Sequence, residues 1–410
     1  MADHAASPRP RVLVIGGSLA GLIAGNLFHR IGWDVEVFER TAGVLEGRGA
    51  GITILPGLIE TFRAAGVTED AYGIVLPVRI ALDRAGQIVA QRTFSQEMTS
   101  WRRLFEFLKA VFPQERYHAG MSVERIEQTD DKVSAYFADG QRVDGDLLIG
   151  ADGLRSTVRA QFLPEARPYY PGYVAWRCLT DESALSAQTH ATLFGRYAVC
   201  VAPGEQGIGY PVPGPDHSVE AGKRQYNVVW YHPFRESDEL PRLMTDDAGR
   251  YHPNGIPPSL IRARVREEIV EMAQDRLAPQ FAEAIRQARL HFFQPIVDLE
   301  SPQLVFGRVV IIGDAAFVAR PHVAMGVPKA GGDLLALVEA VKRAGSDYLV
   351  GVRAFEAERL RISRAIVARG KYLGSYMEAQ LKSEDERRRA EQQRVPERVM
   401  METAYPTDFG

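Results

Sequence analysis

Short runs of apolar residues that end in glycine predict the buried strands of this chain. Residues 12–15 (Val-Leu-Val-Ile) read as a strand buried on both faces, because every position is apolar before Gly16 and Gly17. Residues 19–31 carry apolar side chains at helical spacing, and residues 34–39 form a second strand-like segment. Strand, helix and strand together make a β-α-β unit of about thirty residues, the usual length for this motif.

The rest of the pattern predicts a second sheet and a helical C-terminal part. Residues 169–232 are rich in aromatic and β-branched residues between Gly and Pro breaks, which is typical of an antiparallel sheet. Further strands are predicted at 77–94, as a small antiparallel pair, at 122–137 and 141–149 around an Asp-Gly turn, and at 309–312. Helical periodicity covers 101–112, 261–288, 327–344, 353–376 and 378–391. The charged run 384–394 is interpreted as a solvated helix face or a frayed tail.

Composition narrows the class of protein. The chain has 410 residues, more than one hydrophobic core usually organises, so two coupled domains are expected. Its formal net charge of −3 argues against nucleic-acid and anionic-membrane partners. Cys178 and Cys200 are too few for a disulfide framework, and the scattered histidines lack metal-ligand spacing. Because of this histidine spacing, we expect no metal site. Residues 1–11 contain no apolar signal segment, so we expect a cytoplasmic protein.

The turn after the first strand has the composition of a dinucleotide-binding loop. A helix N-terminus directly after a buried strand presents unpaired amides and a positive dipole to a pyrophosphate. Glu39 ends the second strand, where a carboxylate accepts hydrogen bonds from ribose hydroxyls and disfavours a 2′-phosphate. We therefore predict that residues 11–40 bind the ADP half of a dinucleotide, FAD or NAD rather than NADP, a structural turn being the alternative. The loop reads Gly16-Gly-Ser18-Leu19-Ala-Gly21, with serine in the middle position of G-x-G-x-x-G.

Two later strand-to-loop segments complete a specific set. Residues 146–159 run from an apolar strand into Asp152-Gly153 and on to Arg159, and residues 308–316 run into Gly313-Asp314. In this order behind the first loop, the set resembles the single-component FAD-dependent aromatic hydroxylases, the family typified by para-hydroxybenzoate hydroxylase. The resemblance extends from about residue 11 to about residue 350.

The resemblance implies an α/β fold: an FAD-binding Rossmann-like β-α-β domain with a parallel sheet, an antiparallel-sheet substrate domain and C-terminal helices. We expect the FAD-binding domain in residues 1–76, 98–168 and 290–350, the substrate domain in 77–97 and 169–289, and a helical segment in 351–410. The implied reaction consumes NADH, rather than NADPH, and O2, and hydroxylates an electron-rich ring through a flavin C4a-hydroperoxide. The expected partners are a small aromatic substrate and a second copy of the chain in a homodimer.

Transferred residue by residue, the resemblance implies contacts with each part of FAD. The first motif and the end of the second strand would hold the ADP part, the Gly-Asp motif the ribityl chain, and the middle motif both FAD and the nicotinamide. The segment after the second strand and the loop after the Gly-Asp motif would pass the isoalloxazine ring. In that order, the implied residues are Gly16, Ser18, Leu19, Gly21, Glu39 and Arg40; Gly313 and Asp314; Asp152, Gly153 and Arg159; Arg48, Gly49 and Ile52; and Pro321, Met325 and Gly326.

Departures from the common family pattern point to one branch. Members usually read G-D-A-A-H and then P-x-x-G-Q-G-x-N, whereas this chain has Phe317, Ala324, Met325 and Pro328 at the His, Gly, Gln and Asn positions. Residues 313–322 and 172–177 are instead similar to the 2,6-dihydroxypyridine 3-hydroxylase branch, which implies a hydroxypyridine substrate. An arginine on the next helix commonly reaches the FAD phosphates. Arg102 and its neighbour Arg103 are the candidates, although Trp101 occupies the usual position.

Few residues offer acid-base chemistry to the substrate ring. Loss of a proton from a ring hydroxyl raises the electron density of the ring, and a group that titrates near neutrality could accept that proton. His322 follows Pro321 in the loop expected beside the flavin, and its alternative role is structural. Substrate contacts are predicted at the start of the aromatic-rich sheet and at the end of one of its strands, at Tyr173, Arg177, Tyr231 and His232.

Other flavoprotein classes remain as alternatives. A flavin-dependent halogenase needs a Trp-x-Trp-x-Ile-Pro segment, which this sequence lacks. A reductase or dehydrogenase that does not insert oxygen would keep the FAD motifs, and so would a non-catalytic redox sensor. Oxygen uptake and substrate-stimulated NADH oxidation separate these alternatives from a monooxygenase.

Overall fold

The computed structural model describes residues 9–43, 51–392 and 394–409. Its strands are β1 (Arg11–Ile15), β2 (Asp34–Glu39), β3 (Gly51–Ile54), β4 (Ile74–Leu82), β5 (Ile88–Ser100), β6 (Tyr117–Ala119), β7 (Val123–Gln128), β8 (Val133–Phe137), β9 (Arg142–Gly145), β10 (Leu147–Gly150), β11 (Tyr173–Asp181), β12 (Arg196–Ala202), β13 (Glu205–Val212), β14 (Gln225–Pro233), β15 (Leu290–Pro295), β16 (Leu299–Glu300), β17 (Val305–Phe306), β18 (Val309–Ile311) and β19 (Phe317–Val318). Its helices are α1 (Leu19–Arg30), α2 (Pro56–Ala64), α3 (Trp101–Ala110), α4 (Thr157–Phe162), α5 (Ala187–Leu193), α6 (Glu239–Leu243), α7 (Ala263–Arg276), α8 (Pro279–Arg286), α9 (Gly326–Ala344), α10 (Tyr348–Ala354), α11 (Glu356–Leu373), α12 (Ser375–Glu378), α13 (Glu384–Glu391) and α14 (Pro396–Glu402).

A mainly parallel sheet carries the predicted cofactor motifs. Among the described residues its strand order is β17-β18-β10-β1-β2-β6, and β1 pairs in parallel with both β2 and β10. Val12, Leu13 and Val14 are fully buried because α1 and α9 cover the sheet, as expected of apolar parallel strands. The three motif strands β1, β10 and β18 are neighbours, so the loops after their carboxyl ends meet at one edge. The predicted α/β class is confirmed.

An eight-stranded sheet forms the second layer. Its order in the described part of the chain is β15-β11-β14-β13-β12-β4-β5-β3, antiparallel except for the parallel β12–β4 pair. Because side chains alternate across a strand, the two faces enter different apolar clusters. Trp176 and Trp230 pack against α7 and α8 on one face, whereas Tyr173 and Tyr231 lie on the other. The second face turns toward the cofactor motifs.

Several predicted elements are corrected by the structure. Residues 122–137 contain two strands, β7 and β8, and residues 141–149 divide between β9 of a three-stranded sheet and β10 of the parallel sheet. The predicted helix at 261–288 is broken into α7 and α8, because Pro279 starts a new helix after Leu277 and Ala278. The charged run contains an exposed helix, α13, with a capping box at Ser383.

Sheet membership does not follow the expected segment boundaries. The strands β3 and β15 lie within segments assigned to the FAD-binding domain, yet both pair inside the eight-stranded sheet. The chain therefore crosses between the two layers more often than its local pattern indicates. No helix within the described ranges is long and apolar enough to cross a membrane.

Candidate cofactor and substrate site

The glycine loop after β1 leaves no room for side chains. A Cβ atom on Gly21 would lie 1.7 Å from the carbonyl oxygen of Gly16, and one on Gly16 would lie 2.4 Å from that of Ala151. Gly16 also has φ +105°, a conformation that favours glycine. Ser18 precedes α1 in an extended conformation, and its hydroxyl makes no capping hydrogen bond. The N-terminus of α1, beginning at Leu19, and the Ser18 hydroxyl can therefore both donate to a phosphate.

Glu39 lies beside this loop. Its buried carboxylate accepts hydrogen bonds from the backbone N–H groups of Gly17 and Thr41, both at 2.9 Å. These bonds fix the loop to the end of β2, and the ribose contact predicted for Glu39 stays a prediction. Arg40 beside it is exposed.

The middle motif, at Asp152-Gly153 and Arg159, is hydrogen-bonded to the Gly-Asp motif. Asp152 Oδ2 accepts from the N–H groups of Thr157 and Val158 at the start of α4, and its buried Oδ1 has no hydrogen-bond partner among the described residues. Arg159 is buried and donates to the carbonyl oxygens of Leu154 and Ala315, at 2.6 and 2.9 Å. These bonds fix the backbone of both motifs, and the cofactor contact predicted for Arg159 stays a prediction.

Asp314 points into the space between the layers. It lies in a 3-10 turn, Gly313–Ala315, whose first residue has φ +59°. The buried Lys329, on α9, donates to the carbonyl oxygen of Gly313 at 2.9 Å and so fixes the turn. Asp314 is exposed to a concave space. Desolvation raises the pKa of its carboxyl above the usual value, and the charge of Lys329 opposes this shift.

A cavity of about 350 Å³ joins the cofactor motifs to the eight-stranded sheet. Residues from both layers line it, together with two residues from the C-terminus. The residues that follow the cofactor motifs are Leu154, Asp314, Val318, Ala319, Pro321, Ala324, Gly326 and Val327; the eight-stranded sheet and its flank contribute Gly51, Ile52, Thr53, Arg177, Tyr197, Ile208, Tyr210, Val229, Tyr231, Gln294, Pro295, Ile296 and Val297; and the C-terminal residues are Thr403 and Ala404.

Arg177 is the cationic side chain of this lining. Its Nε donates to Gln294 Oε1 at 2.9 Å. Tyr197 and Tyr210 stack in parallel nearby, with ring centroids 5.6 Å apart. Burial raises the pKa of Tyr210 to about 12, and the charge of Arg177 opposes that rise. The sheet therefore presents aromatic rings and one positive charge to a ligand.

The structure contradicts an acid-base role for His322. The side chain is fully buried and lies outside the cavity lining, with Nε2 3.0 Å from the hydroxyl of Tyr173. Burial, assisted by the nearby charge of Arg320, lowers the pKa of His322 to about 3, so the ring stays neutral at neutral pH. Tyr173 is likewise fully buried and outside the lining. Both predictions of ligand contact are corrected to a buried structural pair behind Pro321.

We expect His322→Gln to change the pH dependence of stability. Imidazole titrates near pH 6.5 in an unfolded chain, so a folded pKa of about 3 destabilises the native protein as the pH falls below about 6.5. Between pH 7 and pH 5, the free energy of unfolding of the variant should gain about 2 kcal/mol relative to the wild type. Urea unfolding of the apoprotein measures this difference. The exposed His29→Gln variant is the control, and a pH-independent difference for His322→Gln would contradict its burial as a neutral group.

His232 lies on the wrong face of its strand. Its Nδ1 is 3.1 Å from Glu205 Oε1, and its ring contacts Trp230, on the side of the sheet covered by α7 and α8. The neighbouring Tyr231 faces the cavity instead. The predicted substrate contact of His232 is therefore wrong, because the two-residue alternation of β14 sends adjacent side chains to opposite faces.

Some predicted cofactor contacts are not brought to the site. Arg102 pairs on the surface with Glu106, and Arg103 donates to the carbonyl oxygens of His217 and Ala71. Neither side chain contacts the glycine loop in the described part of the chain. Met325 precedes α9 and packs against an apolar cluster that includes Ile366 and Leu373, and the cofactor contact predicted for it stays a prediction. The predicted contacts at Arg48 and Gly49 lie outside the described residues.

The sequence interpretation missed several lining residues. Tyr197, Tyr210, Gln294 and Thr403 all contact the cavity, but they come from strands or segments far apart in the chain. The available signal was the aromatic content of residues 169–232, although it does not tell which face of the sheet is open.

The donor set fits the ADP and ribityl parts of FAD. A glycine loop that tolerates no Cβ, the N-terminus of a twelve-residue helix and the unpartnered Oδ1 of Asp152 lie at the same edge of the parallel sheet. Asp314 and the N-terminus of α9 at Gly326 open into the adjoining cavity. Within the described residues, no group of His, Cys, Asp and Glu side chains could hold a metal ion.

Comparison with known proteins agrees with this geometry. An FAD binding domain model matches residues 9–175, and an FAD binding domain-like model matches residues 170–298. The 2,6-dihydroxypyridine 3-monooxygenase of Paenarthrobacter nicotinovorans is 28% identical over 369 residues, which cover 90% of this chain and 91% of that protein. These matches are consistent with the single-component FAD-dependent aromatic hydroxylases, the para-hydroxybenzoate hydroxylase-like family that the motifs resemble. The 3-hydroxybenzoate 6-hydroxylase of Polaromonas naphthalenivorans is 27% identical, with 97% of this chain and 96% of that protein covered.

Two solved structures have the same fold as this chain. The structure of 2,6-dihydroxypyridine-3-hydroxylase from Arthrobacter nicotinovorans has a TM-score of 0.85 at 28% identity and covers 92% of this chain and 95% of its own. The structure of Klebsiella pneumoniae HpxO complexed with FAD and uric acid has a TM-score of 0.75 at 22% identity, with 95% and 93% covered.

We expect the protein to purify yellow and to release its FAD on acid precipitation. Covalent attachment needs a reactive side chain, and both cysteines are buried, with desolvation raising the pKa of the Cys200 thiol to about 11. The absorbance spectra of the acid supernatant and of the pellet measure the release. A pellet that keeps the flavin colour would contradict non-covalent binding.

Proposed function

We propose that this flavoprotein is an NADH-dependent monooxygenase that hydroxylates a hydroxylated N-heteroaromatic ring, of which 2,6-dihydroxypyridine is the first candidate. The observation that carries the proposal is the single cavity shared by Asp314 and Gly326 on the cofactor side and by Arg177 and Tyr231 on the sheet side. The two relatives described above are named for hydroxylation of a dihydroxypyridine and of a hydroxybenzoate. Their names support a small hydroxylated ring as the substrate class.

The side chains of the cavity prepare the ring for attack on activated oxygen. When bound, FAD supplies electron transfer from the nicotinamide and the activation of O2. Arg177 lies where its charge favours the ionised form of a ring hydroxyl, and ionisation raises the electron density of the ring carbons. Gln294 fixes the direction of the guanidinium through its bond to Nε. Tyr197, Tyr210 and Tyr231 surround the ring with aromatic surface and exclude water.

Proton acceptance by a neighbouring histidine is not part of this mechanism. His322 lies behind the lining and is neutral, and among the described histidines none lines the cavity. We propose that the ring enters as the anion, or loses its proton to water as it binds beside Arg177. The pKa of a ring hydroxyl is then set mainly by the charge of the arginine.

A substrate panel tests the proposed function. The holoenzyme is mixed with NADH and air-saturated buffer, and 2,6-dihydroxypyridine, 6-hydroxynicotinate and 3-hydroxybenzoate are added one at a time. We expect at least one ring to stimulate NADH oxidation with matching oxygen uptake and formation of a hydroxylated product. NADH oxidation without oxygen uptake would instead indicate a reductase or dehydrogenase, and bound FAD with no stimulation would indicate a redox sensor.

We propose that NADH reduces the flavin faster than NADPH. The acidic net charge of −3 and the likeness to the dihydroxypyridine hydroxylase support this choice, and the described chain has no separate nicotinamide-binding fold. Anaerobic stopped-flow reduction of the substrate-bound holoenzyme measures the second-order rate with each nucleotide. A higher rate with NADPH would reverse the assignment.

We propose that the two sheets define the two domains. The parallel sheet with α1 and α9 would bind FAD, and the eight-stranded sheet, including β3 and β15, would supply the substrate wall. This division shifts the boundaries expected from sequence so that residues 51–54 and 290–295 join the substrate domain. The homodimer and the cytoplasmic location stay predictions.

A further inference from the structure

The C-terminal segment returns to the substrate cavity. After the charged helix α13, the helix α14 packs on β4 and β12 of the eight-stranded sheet. Thr403 and Ala404 follow α14 and line the cavity directly. Thr403 is only 2% exposed, so its side chain is enclosed between the sheet and the cavity.

A buried arginine holds this segment. Arg79, on β4, has no exposed surface, and its guanidinium donates to the carbonyl oxygens of Met400, Thr403 and Ala404 at 2.9, 2.8 and 3.0 Å. Its Nε donates to Gln96 Oε1 at 2.7 Å. Carbonyls at the end of a helix carry partial negative charge, and a planar guanidinium can contact several of them at once.

The same arginine supports a wall of the cavity. Its guanidinium carbon lies 4.8 Å from the ring centre of Tyr197, which lines the cavity, and β4 pairs with β12 at Arg79 and Tyr197. The C-terminal end and the aromatic wall therefore share one support.

Two further bonds fix Thr403 and Ala404. Gln206 Nε2 donates to Thr403 Oγ1 at 3.0 Å, so the hydroxyl oxygen accepts and its own proton is left to donate. The N–H of Ala404 donates to the carbonyl oxygen of His322 at 2.8 Å, which ties the segment to the loop that begins at Pro321. Ala404 holds φ +49°, an uncommon backbone conformation for alanine that the surrounding bonds maintain.

We propose that Thr403 is a substrate-contacting residue that donates a hydrogen bond to an anionic ring oxygen, and that Arg79 and Gln206 are its positioning residues. The inference rests on the proposed function, because it assigns a second contact to the same ring. Arg177 supplies charge from the sheet, and Thr403 supplies a directed hydroxyl from the C-terminal segment. The C-terminus is then a part of the substrate site that the glycine motifs do not reveal.

Binding of 2,6-dihydroxypyridine to the anaerobic holoenzyme, followed by the flavin absorbance change, tests the contact. Thr403→Val keeps the shape and removes the donor, and should raise the Kd about 10-fold, since a hydrogen bond to a charged group typically contributes at least that factor. Thr403→Ser keeps the donor and should bind within about 2-fold of the wild type. Thr180→Val is the matched control, because its buried hydroxyl donates to the carbonyl oxygen of Ala284 on the opposite face of the sheet.

A coupling experiment tests the positioning role. Lysine cannot contact several carbonyls in one plane, so Arg79→Lys should also raise the Kd, and adding Thr403→Val should raise it little further. Independent, multiplicative effects would overturn the positioning role. A wild-type Kd for Thr403→Val, or equal weakening by Thr180→Val, would overturn the contact. Oxygen uptake by the wild-type protein tests the proposed function separately. If no ring stimulates it, the proposed function itself is wrong.

Discussion

Asp314→Ala should release FAD from the folded protein without destabilising the apoprotein. The carboxylate faces the cavity from the Gly-Asp turn, where it can accept from ribityl hydroxyls, and a hydrogen bond to a charged group contributes about 1.5–3 kcal/mol. The affinity for FAD should therefore fall about 10- to 100-fold. Since FAD binds only the folded state, the melting temperature of the holoenzyme should fall with it.

The stability of the apoprotein separates loss of FAD binding from loss of folding. Without ligand, the carboxylate of Asp314 is exposed to the concave space, so it contributes little to the stability of the folded chain. Removal of the carboxylate should leave the stability of the apoprotein nearly unchanged. Asp298→Ala is the contrast, because Asp298 pairs with the buried Arg320 at 2.8 Å, and a broken buried pair destabilises by about 3–5 kcal/mol. Wild-type FAD affinity in Asp314→Ala would remove it from the cofactor site.

Arg177→Met should weaken substrate binding while the FAD content stays unchanged. Methionine keeps an apolar stem of similar length but removes the cation of the cavity lining. A charged hydrogen bond of about 1.5–3 kcal/mol corresponds to a rise in Kd of about 10- to 100-fold for an anionic ring. Less NADH should be coupled to product, because a poorly held ring misses the activated oxygen and hydrogen peroxide is released instead.

Two variants control for this change. Arg289→Met removes an exposed cation that pairs with Asp181 away from the cavity, and it should bind substrate as the wild type does. Arg177→Lys keeps the charge without the planar guanidinium and should recover part of the affinity. The measurements are the Kd of 2,6-dihydroxypyridine and the product formed per NADH consumed. Unchanged values in Arg177→Met would exclude the arginine from the substrate site.

Local sequence determined the cofactor frame. The first strand, the glycine loop and α1 are contiguous, so apolar runs, glycine spacing and helical periodicity were enough to predict them, and the structure places them within a residue of the expected bounds. The loops holding Asp152 and Asp314 were predicted for the same reason. Gly21 is required by a close contact with Gly16 inside the motif, whereas Gly16 is required by its φ of +105° and by the backbone of Ala151 in the middle motif.

Tertiary structure decided which side chains face the substrate. Tyr231 and His232 are adjacent in the chain, but the packing of α7 and α8 leaves only the first facing the cavity. His322 is kept neutral by burial beside Tyr173 and by the charge of Arg320, and Ala404 reaches the loop at His322 only through the fold. Periodicity shows that a strand has two faces. The elements that cover each face, and the pKa values that burial sets, depend on residues distant in the chain, such as Tyr173, which lies 149 positions before His322.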